Sequence, residues 1–515
     1  MNILQGGKML SRVKTVAFNG LEILDVELQV QISSGMPAFT IVGLPDKTVA
    51  ESRERIRAAF CSLGIKLPPK RITVNLAPAD ILKEGSHYDL PLALGILAGM
   101  GIVPQTKLTE YIVVGEIGLD GVIVNVNGVL PTAVCAAKKN IGLICPKKQG
   151  KEAAWSECKN IVPAESLEEL INFFKGNISI EQPQSFETDE KTTSLDMQDV
   201  KGQESAKRAM EIAAAGGHNI IMVGPPGSGK SMLASRLPGI LPPMNKEEAI
   251  ETNMIASIAG ELSGGSLKFE RPFRAPHHSA STPALVGGGR PARPGEISLA
   301  NNGVLFLDEL PEFARPTLEA LRQPLENRSI SISRVNSHVD FPAKIQLVAA
   351  MNPCRCGYLG NSQRECSRAP KCAQEYMSKI SGPLLDRIDI QIEVPMVSPW
   401  DLASAPVGES SAEIRKRVIA ARKIQQERFI KYGRKDLFTN SELNGDMLEK
   451  AAIMNEDAKQ LLINYANSVK LSARGYNRTL KLARTIADLQ NEIKLHRIHI
   501  AEALSLRWKV SDYKI

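Results

Sequence analysis

The pattern of apolar and polar positions changes twice along the chain. Before about residue 175, strand-like runs (VKTVAF, FTIVG, RITVNLA and YIVVGEIG) mix with helical patterns over residues 49–63 and 90–98. After about residue 199, apolar runs such as IIMVG, GVLFLDE and KIQLVAAMN each lead into a turn and then a helical pattern. Such runs are typical of parallel strands that helices cover on both faces. The last part of the chain is helical in pattern, over residues 412–432, 445–467 and 474–495.

These changes predict an α/β protein with three folded parts. Residues 9–175 are expected to form an α+β domain, and residues 199–398 a parallel α/β sheet. Residues 176–198 between them are polar, acidic and almost without large apolar side chains, as in a linker. Residues 399–515 are expected to form a helical domain.

Composition narrows the class of protein. The 515 residues are 43% hydrophobic and 23% charged, which excludes a wholly disordered or fibrous chain. The sequence shows neither an apolar run of the roughly 18 residues that a membrane span needs nor an apolar signal segment. Eight cysteines are too few for a disulfide scaffold in a chain of this length. We therefore expect a reduced, cytoplasmic protein with no membrane partner.

The excess positive charge lies near the C-terminus. Residues 412–515 contain 21 lysines and arginines against 12 acidic residues, whereas the rest of the chain contains 42 against 44. This asymmetry predicts either a surface for nucleic acid or phosphates, or a solvated helical surface. Charge alone does not decide between the two.

The strongest motif is a glycine-rich loop that satisfies G-x-x-x-x-G-K-[ST] in full. It follows the apolar run HNIIMV and precedes the helical run MLASRL, which is the context that the motif requires. The loop predicts an ATP site: backbone N–H groups surround the phosphates, the lysine reaches the β- and γ-phosphates, and the serine hydroxyl binds Mg²⁺. The loop comprises Gly224, Pro225, Pro226, Gly227, Ser228, Gly229, Lys230 and Ser231.

Three polar residues that end two other apolar runs complete a predicted hydrolysis site. Asp308 and Glu309 follow GVLFL; Asp308 is expected to hold Mg²⁺ and Glu309 to polarise the attacking water. Capping of the next helix is the alternative for this acidic pair. Asn352 ends the run IQLVAAM, where its amide is suited to orienting the water and sensing the γ-phosphate.

Two arginine groups follow these motifs. Arg387 lies in SGPLLDRID and Arg474 in LSARGYNR, where Arg478 is a second candidate. Guanidinium groups stabilise the charge of a phosphoryl transition state, whether the same chain or a neighbouring subunit supplies them. A surface salt bridge is the alternative for each arginine taken alone.

This order of motifs resembles the AAA+ ATPases, and more narrowly their magnesium-chelatase-like branch. Several long segments are similar to those of the YifB/ComM family: MLSRVKTVAFNG, IVGLPDKTVAESRERIRAA, KEGSHYDLPLALGIL, FRAPHHSAS, GGGRPARPGEISLA, NPCRCG and SGPLLDRID. The resemblance covers residues 9–510. It implies a P-loop core with a C-terminal helical lid, assembled into a homo-hexameric, ATP-driven DNA motor.

The resemblance also implies a function and a role for each site residue. Members of the family that are understood promote branch migration while single-stranded DNA is integrated, notably in natural transformation, and recombination proteins are candidate partners. A motor subunit for inserting Mg²⁺ into a tetrapyrrole and a protein remodeller are the alternatives. The implied positions are Walker A at Lys230 and Ser231, Walker B at Asp308 and Glu309, sensor 1 at Asn352, a trans-acting arginine finger at Arg387 and sensor 2 at Arg474.

The N-terminal block resembles the proteolytic domain of Lon, a likeness carried by VVGEIGLDGVIVNVNGVLPTAVCAAKK. Proteolysis by Lon needs a serine that a lysine activates. The lysine position holds Leu130, the serine position falls near Asp89, and Ser86 has Lys83 as its local candidate partner. We therefore expect a non-proteolytic domain that serves assembly or DNA handling.

Four of the eight cysteines lie close together in the sequence, with the spacing C-x-C-x₉-C-x₅-C. Such a set can supply a tetrahedral Zn²⁺ site, although its spacing departs from the common C-x₂-C pairs. Buried thiols are the alternative. The four are Cys354, Cys356, Cys366 and Cys372.

Alternating residues and a polar turn predict a β-hairpin within residues 329–341. In AAA+ proteins of this branch, such a hairpin and the segment FRAPHHSAS point into a central pore, so their side chains are expected to contact a DNA backbone. Metal binding and a purely structural role are the alternatives for the two histidines. The expected DNA contacts are Arg334, Lys344, Arg274, His277 and His278.

Overall fold

The structure is a computed structural model and describes residues 10–184, 195–262, 267–289, 292–334, 337–357, 359, 366–368, 370–398, 400, 406, 408–469 and 471–507. Among these residues, no helix combines the length and the apolar character needed to cross a membrane. Two large sheets organise the described chain, one in the N-terminal block and one around the glycine-rich loop.

The N-terminal block is a mixed sheet with helices packed against it. Its strands are β1 (Leu10–Asn19), β2 (Glu22–Ser33), β3 (Ala38–Val42), β4 (Arg71–Ala77), β5 (Tyr111–Val113), β6 (Glu116–Ile117), β7 (Ile123–Val124), β8 (Gly142–Pro146) and β9 (Ile161–Ala164). Its helices are α1 (Lys47–Ser62), α2 (Asp89–Gly99), α3 (Gln105–Leu108), α4 (Val129–Lys138), α5 (Gly150–Ala154) and α6 (Leu167–Lys175).

Seven of these strands form the sheet, in the order β3-β4-β2-β1-β5-β8-β9. Strand β2 runs antiparallel to its two neighbours β1 and β4, and the remaining neighbouring pairs are parallel. Helix α2 lies against β1 and β2 and is buried on all sides, because its sequence DLPLALGILAG is apolar on every face. Its Gly95 allows this close approach, since a Cβ there would lie 2.9 Å from Leu28 and Val30.

The second part of the chain is built around a parallel sheet. Its strands are β10 (Ile220–Val223), β11 (Phe273–Arg274), β12 (Gly287–Gly288), β13 (Arg293–Pro294), β14 (Val304–Leu307), β15 (Ser329–Arg334), β16 (Ser337–Pro342), β17 (Gln346–Met351) and β18 (Ile390–Glu393). Its helices are α7 (Glu204–Gly216), α8 (Lys230–Ile240), α9 (Lys246–Ala259), α10 (Thr282–Val286), α11 (Glu296–Leu299), α12 (Arg315–Ala320), α13 (Arg322–Asn327), α14 (Lys371–Met377) and α15 (Gly382–Leu385).

The strand order β11-β14-β17-β10-β18, with every neighbouring pair parallel, confirms the predicted parallel α/β core. Because parallel strands share one C-terminal edge, the glycine-rich loop after β10 lies beside the residues that follow β14 and β17. Strands β15 and β16 form the predicted hairpin, with Ser329 opposite Pro342 and Arg334 opposite Ser337.

The C-terminal part is helical, as predicted. Its helices are α16 (Ser411–Lys431), α17 (Gly445–Ala451), α18 (Glu456–Val469), α19 (Ala473–Leu489) and α20 (Arg497–Ser505). These helices share one hydrophobic core with a face of the parallel sheet, in which Ile220 and Ile390 of the sheet join Val418 and Ile486 of the helices.

Two of the expected C-terminal helices are shorter than predicted. The helix expected over residues 445–467 is interrupted between α17 and α18, where Met454 forms a β-bridge with Leu495. The helix expected over residues 474–495 ends at Leu489, because the buried Arg484 donates hydrogen bonds to the carbonyl oxygens of Glu492 and Ile493 and stabilises a turn there.

The N-terminal block packs on the second part through α4 and α9. Leu130 and Trp155 form a small apolar cluster with Leu267. Beside it, the buried Glu152 accepts a hydrogen bond from the Ser257 hydroxyl. The hairpin also contacts this block: a Cβ on Gly20, in the β1–β2 turn, would lie 2.7 Å from the carbonyl oxygen of Asp340.

Candidate nucleotide site

The glycine-rich loop connects the end of β10 to the start of α8, as its sequence context predicts. Gly227 and Gly229 adopt φ angles of +77° and +90°, which strongly favour glycine and leave the loop backbone open to a ligand. Gly224 is required for a different reason, because a Cβ there would lie 2.1 Å from the carbonyl oxygen of Val394, just after β18. Both features suit a loop that wraps phosphates.

Lys230 is buried at the start of α8, and its ammonium group is folded over the loop. Its Nζ donates to the carbonyl oxygens of Gly224 and Pro225 at 2.8 Å each, and it lies 3.4 Å from Oδ1 of Asn352. Burial lowers the pKa of Lys230, and the negative charge of Asp308 opposes that shift. Lys230 and Asn352, predicted from separate motifs, are therefore brought together.

Ser231 and Asp308 also meet. The Ser231 hydroxyl donates to Oδ2 of Asp308 at 2.8 Å, which places a hydroxyl and a carboxylate oxygen side by side, the donor set that Mg²⁺ takes in such sites. Glu309 follows with a φ of +51°, an unusual backbone conformation for a residue other than glycine. The loop, the ammonium group and this oxygen pair fit a nucleotide phosphate with Mg²⁺.

His278 contacts the candidate catalytic carboxylate, a position that the sequence did not predict. Its Nδ1 lies 3.2 Å from Oε2 of Glu309, and its ring packs against that of His277 with centroids 4.0 Å apart. His277 is exposed and its Nδ1 lies 2.8 Å from the Ser279 hydroxyl. The His278 imidazole thus faces Glu309 in this chain, and contact of the two histidines with DNA stays a prediction.

Arg387 lies at the opposite end of the sheet from the glycine-rich loop. Its carbonyl oxygen accepts a hydrogen bond from Asn219, the residue before β10, whereas the loop begins after β10. A four-residue strand spans about 13 Å, so this chain's own loop lies well away from the Arg387 backbone. Its guanidinium group instead donates to Glu326 and to the carbonyl oxygen of Pro383.

Arg474 lies near Arg387, and Arg478 is held internally. The pKa of Glu326 is lowered first by the hydrogen bond from Arg387, and the charge of Arg474 lowers it further. Arg474 is exposed, and within the described part of the chain no hydrogen-bond or ion-pair partner faces it. Arg478 is mostly buried and binds Asp389 and the carbonyl oxygen of Ile388. The geometry therefore favours Arg474 over Arg478 as an arginine available to a ligand.

The four clustered cysteines converge in space, and we refer to Cys354, Cys356, Cys366 and Cys372 as the cysteine cluster. Their sulfur atoms all lie within 4.8 Å of one another. Four thiolates around one Zn²⁺ ion would be about 3.8 Å apart, so the cluster is close to the geometry of such a site. Cys354 is buried, but Cys356 is exposed and the other two are half-buried. This exposure disfavours the alternative of four core thiols.

Two of the expected DNA contacts already have acidic partners within the chain. Arg274 binds Glu296 at 2.7 Å and Glu261 at 2.9 Å, and Nζ of Lys344 lies 3.1 Å from both carboxylate oxygens of Glu251. These cations are therefore positioned to hold the fold together. The hairpin places Arg334 at its tip, but the Arg334 side chain lies outside the described residues.

The positions compared with Lon form structural contacts. Leu130 is buried at the junction with α9, and Asp89 is buried in a bidentate ion pair with Arg55, at 2.6 and 2.9 Å. Lys83 donates its hydrogen bond to the carbonyl oxygen of Pro78, and Ser86 lines a cleft of about 1530 Å³. The likeness to Lon and the absence of proteolysis stay predictions.

A parallel sheet with a glycine-rich loop, and with Asp308 and Asn352 at the same edge, defines a P-loop nucleotide-binding protein of the AAA+ type. Three family models agree with this class. Residues 196–402 match the family described as magnesium chelatase, subunit ChlI; residues 28–149 match subunit ChlI of Mg-chelatase; and residues 408–507 match the C-terminal part of subunit ChlI.

Full-length relatives give the narrower family. Competence protein ComM of Haemophilus influenzae is 45% identical over 506 residues, which are 97% of each chain. The proteins named YifB of Salmonella typhimurium and Escherichia coli are each 42% identical over 499 residues, again 97% of each chain. The chain therefore belongs to the ComM/YifB family of magnesium-chelatase-like AAA+ proteins.

Proposed function

We propose that the chain is an ATP-hydrolysing DNA motor that works as a hexameric ring and promotes branch migration. The observation that carries the proposal is the separation of Arg387 from this chain's own glycine-rich loop, at opposite ends of β10. An arginine at that place serves a phosphate only if another subunit brings its loop there. The similarity to a protein named for competence supports DNA as the partner.

Within one subunit, the proposed roles follow from the contacts. Lys230, Ser231 and Asp308 hold the nucleotide, and Mg²⁺ bound with it would neutralise charge on the phosphates. Glu309 activates the attacking water, and Asn352 orients it beside Lys230. His278 holds Glu309 in position and is thus a positioning residue.

Across the subunit boundary, we assign Arg387 as the arginine finger and Arg474 as a second arginine acting on the same neighbouring nucleotide. Both lie near Glu326, which Arg387 binds in the isolated chain. In the ring, the neighbour's phosphate would take the place of Glu326 as the partner of the Arg387 guanidinium group. A ring would thus bring two guanidinium groups from one subunit to each neighbouring nucleotide.

For DNA, the proposed contacts are Arg334 at the hairpin tip and the exposed His277. Arg274 and Lys344 are assigned to the fold, because each of them binds an acidic partner. The middle of β16, at Val339 and Asp340, lies against the N-terminal block, so this block supports the DNA-binding element. The cysteine cluster is proposed to hold Zn²⁺.

A second candidate function is the motor subunit of a magnesium chelatase, because all three matching family models carry that description. That function requires a partner protein that binds the tetrapyrrole. Stimulation of ATP hydrolysis by protoporphyrin and such a partner, and not by DNA, would support it.

We expect the purified wild-type protein to move a labelled three-strand DNA branch with ATP but not with ATPγS. Lys230→Ala should not move the branch, because the phosphates lose their main cationic partner. The measurement is branch displacement on a native gel, with ATP hydrolysis measured in the presence and absence of the same DNA.

If the protein binds the DNA but moves the branch in neither direction, the motor proposal is contradicted. In that case, the protein would act as an ATP-dependent clamp on DNA. Hydrolysis that responds to an unfolded protein but not to DNA would favour a remodeller instead.

Replacing Arg334 by alanine should weaken DNA binding about equally for all sequences and reduce its salt dependence, because backbone contacts release counterions but read no bases. Each lost phosphate contact should lower the slope of log K against log[salt] by about 0.9. Fluorescence anisotropy at several salt concentrations measures both effects. Arg434→Ala is the control, since Arg434 is exposed and bound to Asp436; an equal loss in this control would refute a specific role for the hairpin.

A further inference from the structure

The cysteine cluster lies directly beside the nucleotide site. Cys354 follows Asn352 by two residues at the end of β17, and Asn352 contacts Lys230. At the other end of the cluster, Cys372 belongs to α14, whose Tyr376 is buried in the core with residues of β14 and β17. An ion bound to the cluster would tie the end of β17 to α14.

The cluster also packs on the glycine-rich loop. Gly357, one residue after Cys356, has a φ of +80°, and a Cβ on it would lie 2.6 Å from Cδ and 2.7 Å from Cγ of Pro226. The backbone at Gly357 therefore rests directly on the Pro226 ring. Nothing as large as a methyl group fits between the two.

We propose that Zn²⁺ bound by the cysteine cluster braces the glycine-rich loop through the contact of Gly357 with Pro226, so that nucleotide affinity depends on the metal. The inference rests on the proposed use of this loop as a nucleotide site. Its chemistry is the binding of four thiolates to one cation, with release of the thiol protons to solvent.

The physical reason is the weakness of the cluster without a metal. Thiols are weak hydrogen-bond donors and acceptors, so a contact such as the 3.2 Å one between Cys354 and Cys356 holds the cluster only weakly. Four metal–sulfur bonds would fix Gly357, which follows a ligand directly. A fixed Gly357 limits how far Pro226 moves away from the phosphates.

The first experiment measures metal and affinity on the same full-length protein. Purified protein should contain about one zinc per chain by mass spectrometry of the metal, and Cys366→Ser/Cys372→Ser should contain almost none. Both this variant and chelator-stripped wild type should bind mant-ADP about tenfold more weakly, with recovery when Zn²⁺ is returned to the stripped wild type. If the purified protein contains iron instead of zinc, or contains no metal both before and after Zn²⁺ is added, the proposed zinc site is refuted.

A second variant separates bracing from loss of structure. Gly357→Ala keeps all four cysteines and should retain its zinc, yet its methyl group pushes against Pro226, so mant-ADP affinity should fall about tenfold. In a Pro226→Ala background, which lacks the two ring atoms that clash, Gly357→Ala should cause no further loss of mant-ADP affinity relative to Pro226→Ala alone. Gly433→Ala is the matched control, since Gly433 has a φ of +73° and open space around its Cβ position.

If chelator-stripped wild type and Gly357→Ala both bind mant-ADP as tightly as the untreated wild type, the bracing role is refuted, even if the wild type contains zinc. These readouts need no DNA and no hydrolysis. A protein that binds zinc and nucleotide as expected but never moves a DNA branch would refute the motor alone, and the metal-dependent affinity would stand.

Discussion

Arg387→Ala should bind ATP as the wild type does but hydrolyse it at least about a thousandfold more slowly. Arginine fingers typically contribute a factor of about 10³–10⁵ to hydrolysis, because the guanidinium group neutralises charge that develops on the phosphoryl oxygens. Binding should persist, since Arg387 lies at the opposite end of β10 from this chain's own loop. Equilibrium mant-ADP binding and steady-state ATP hydrolysis measure the two effects separately.

Mixing two inactive variants tests whether Arg387 acts on a neighbour. Lys230→Ala has an intact Arg387 and a defective loop, whereas Arg387→Ala has the reverse. In a mixed ring, some interfaces pair a normal loop with a normal arginine, so part of the hydrolysis should return. Arg434→Ala, which removes an exposed arginine bound to Asp436, should hydrolyse normally. Full activity of Arg387→Ala as a monomer would refute the ring.

Most of the second sheet could be predicted from the sequence because its strands are apolar throughout. Strands β10, β14 and β17 are buried along their whole length, so runs such as IIMV and VLFL mark them. Strand β2 is absent from the predicted strands, although its buried residues Val26, Leu28 and Val30 alternate with polar ones, which is the pattern of a half-buried strand.

The nucleotide site could be predicted because each of its parts directly follows an apolar strand of the sheet. A glycine-rich loop between a strand and a helix fixes where Lys230 and Ser231 stand, and a parallel sheet fixes which strand ends meet them. The sequence does not say which partner a charged side chain takes. The contacts of Arg274 with Glu296 and of His278 with Glu309 join residues that are 22 and 31 positions apart, so they depend on the tertiary structure.

Glu309→Gln should bind ATP normally but hydrolyse it about 10²–10⁴-fold more slowly, because the amide cannot accept a proton from the attacking water. The shape of the side chain and the oxygen that faces His278 are both kept. Lys230→Ala should instead lose nucleotide affinity, since the phosphates then lose the ammonium group as their main cationic partner. Parallel titrations with mant-ADP and single-turnover hydrolysis separate the two defects.

The matched control for Glu309→Gln is Glu312→Gln, three residues further on in the same turn. Glu312 binds Lys379 at 3.3 Å and has no proposed part in the reaction, so this variant should hydrolyse ATP at close to the wild-type rate. Equal loss in both variants would mean that the turn, and not the Glu309 carboxylate, sustains hydrolysis. Wild-type hydrolysis by Glu309→Gln would show that another group activates the water. The His278 contact would then hold a carboxylate with no catalytic role.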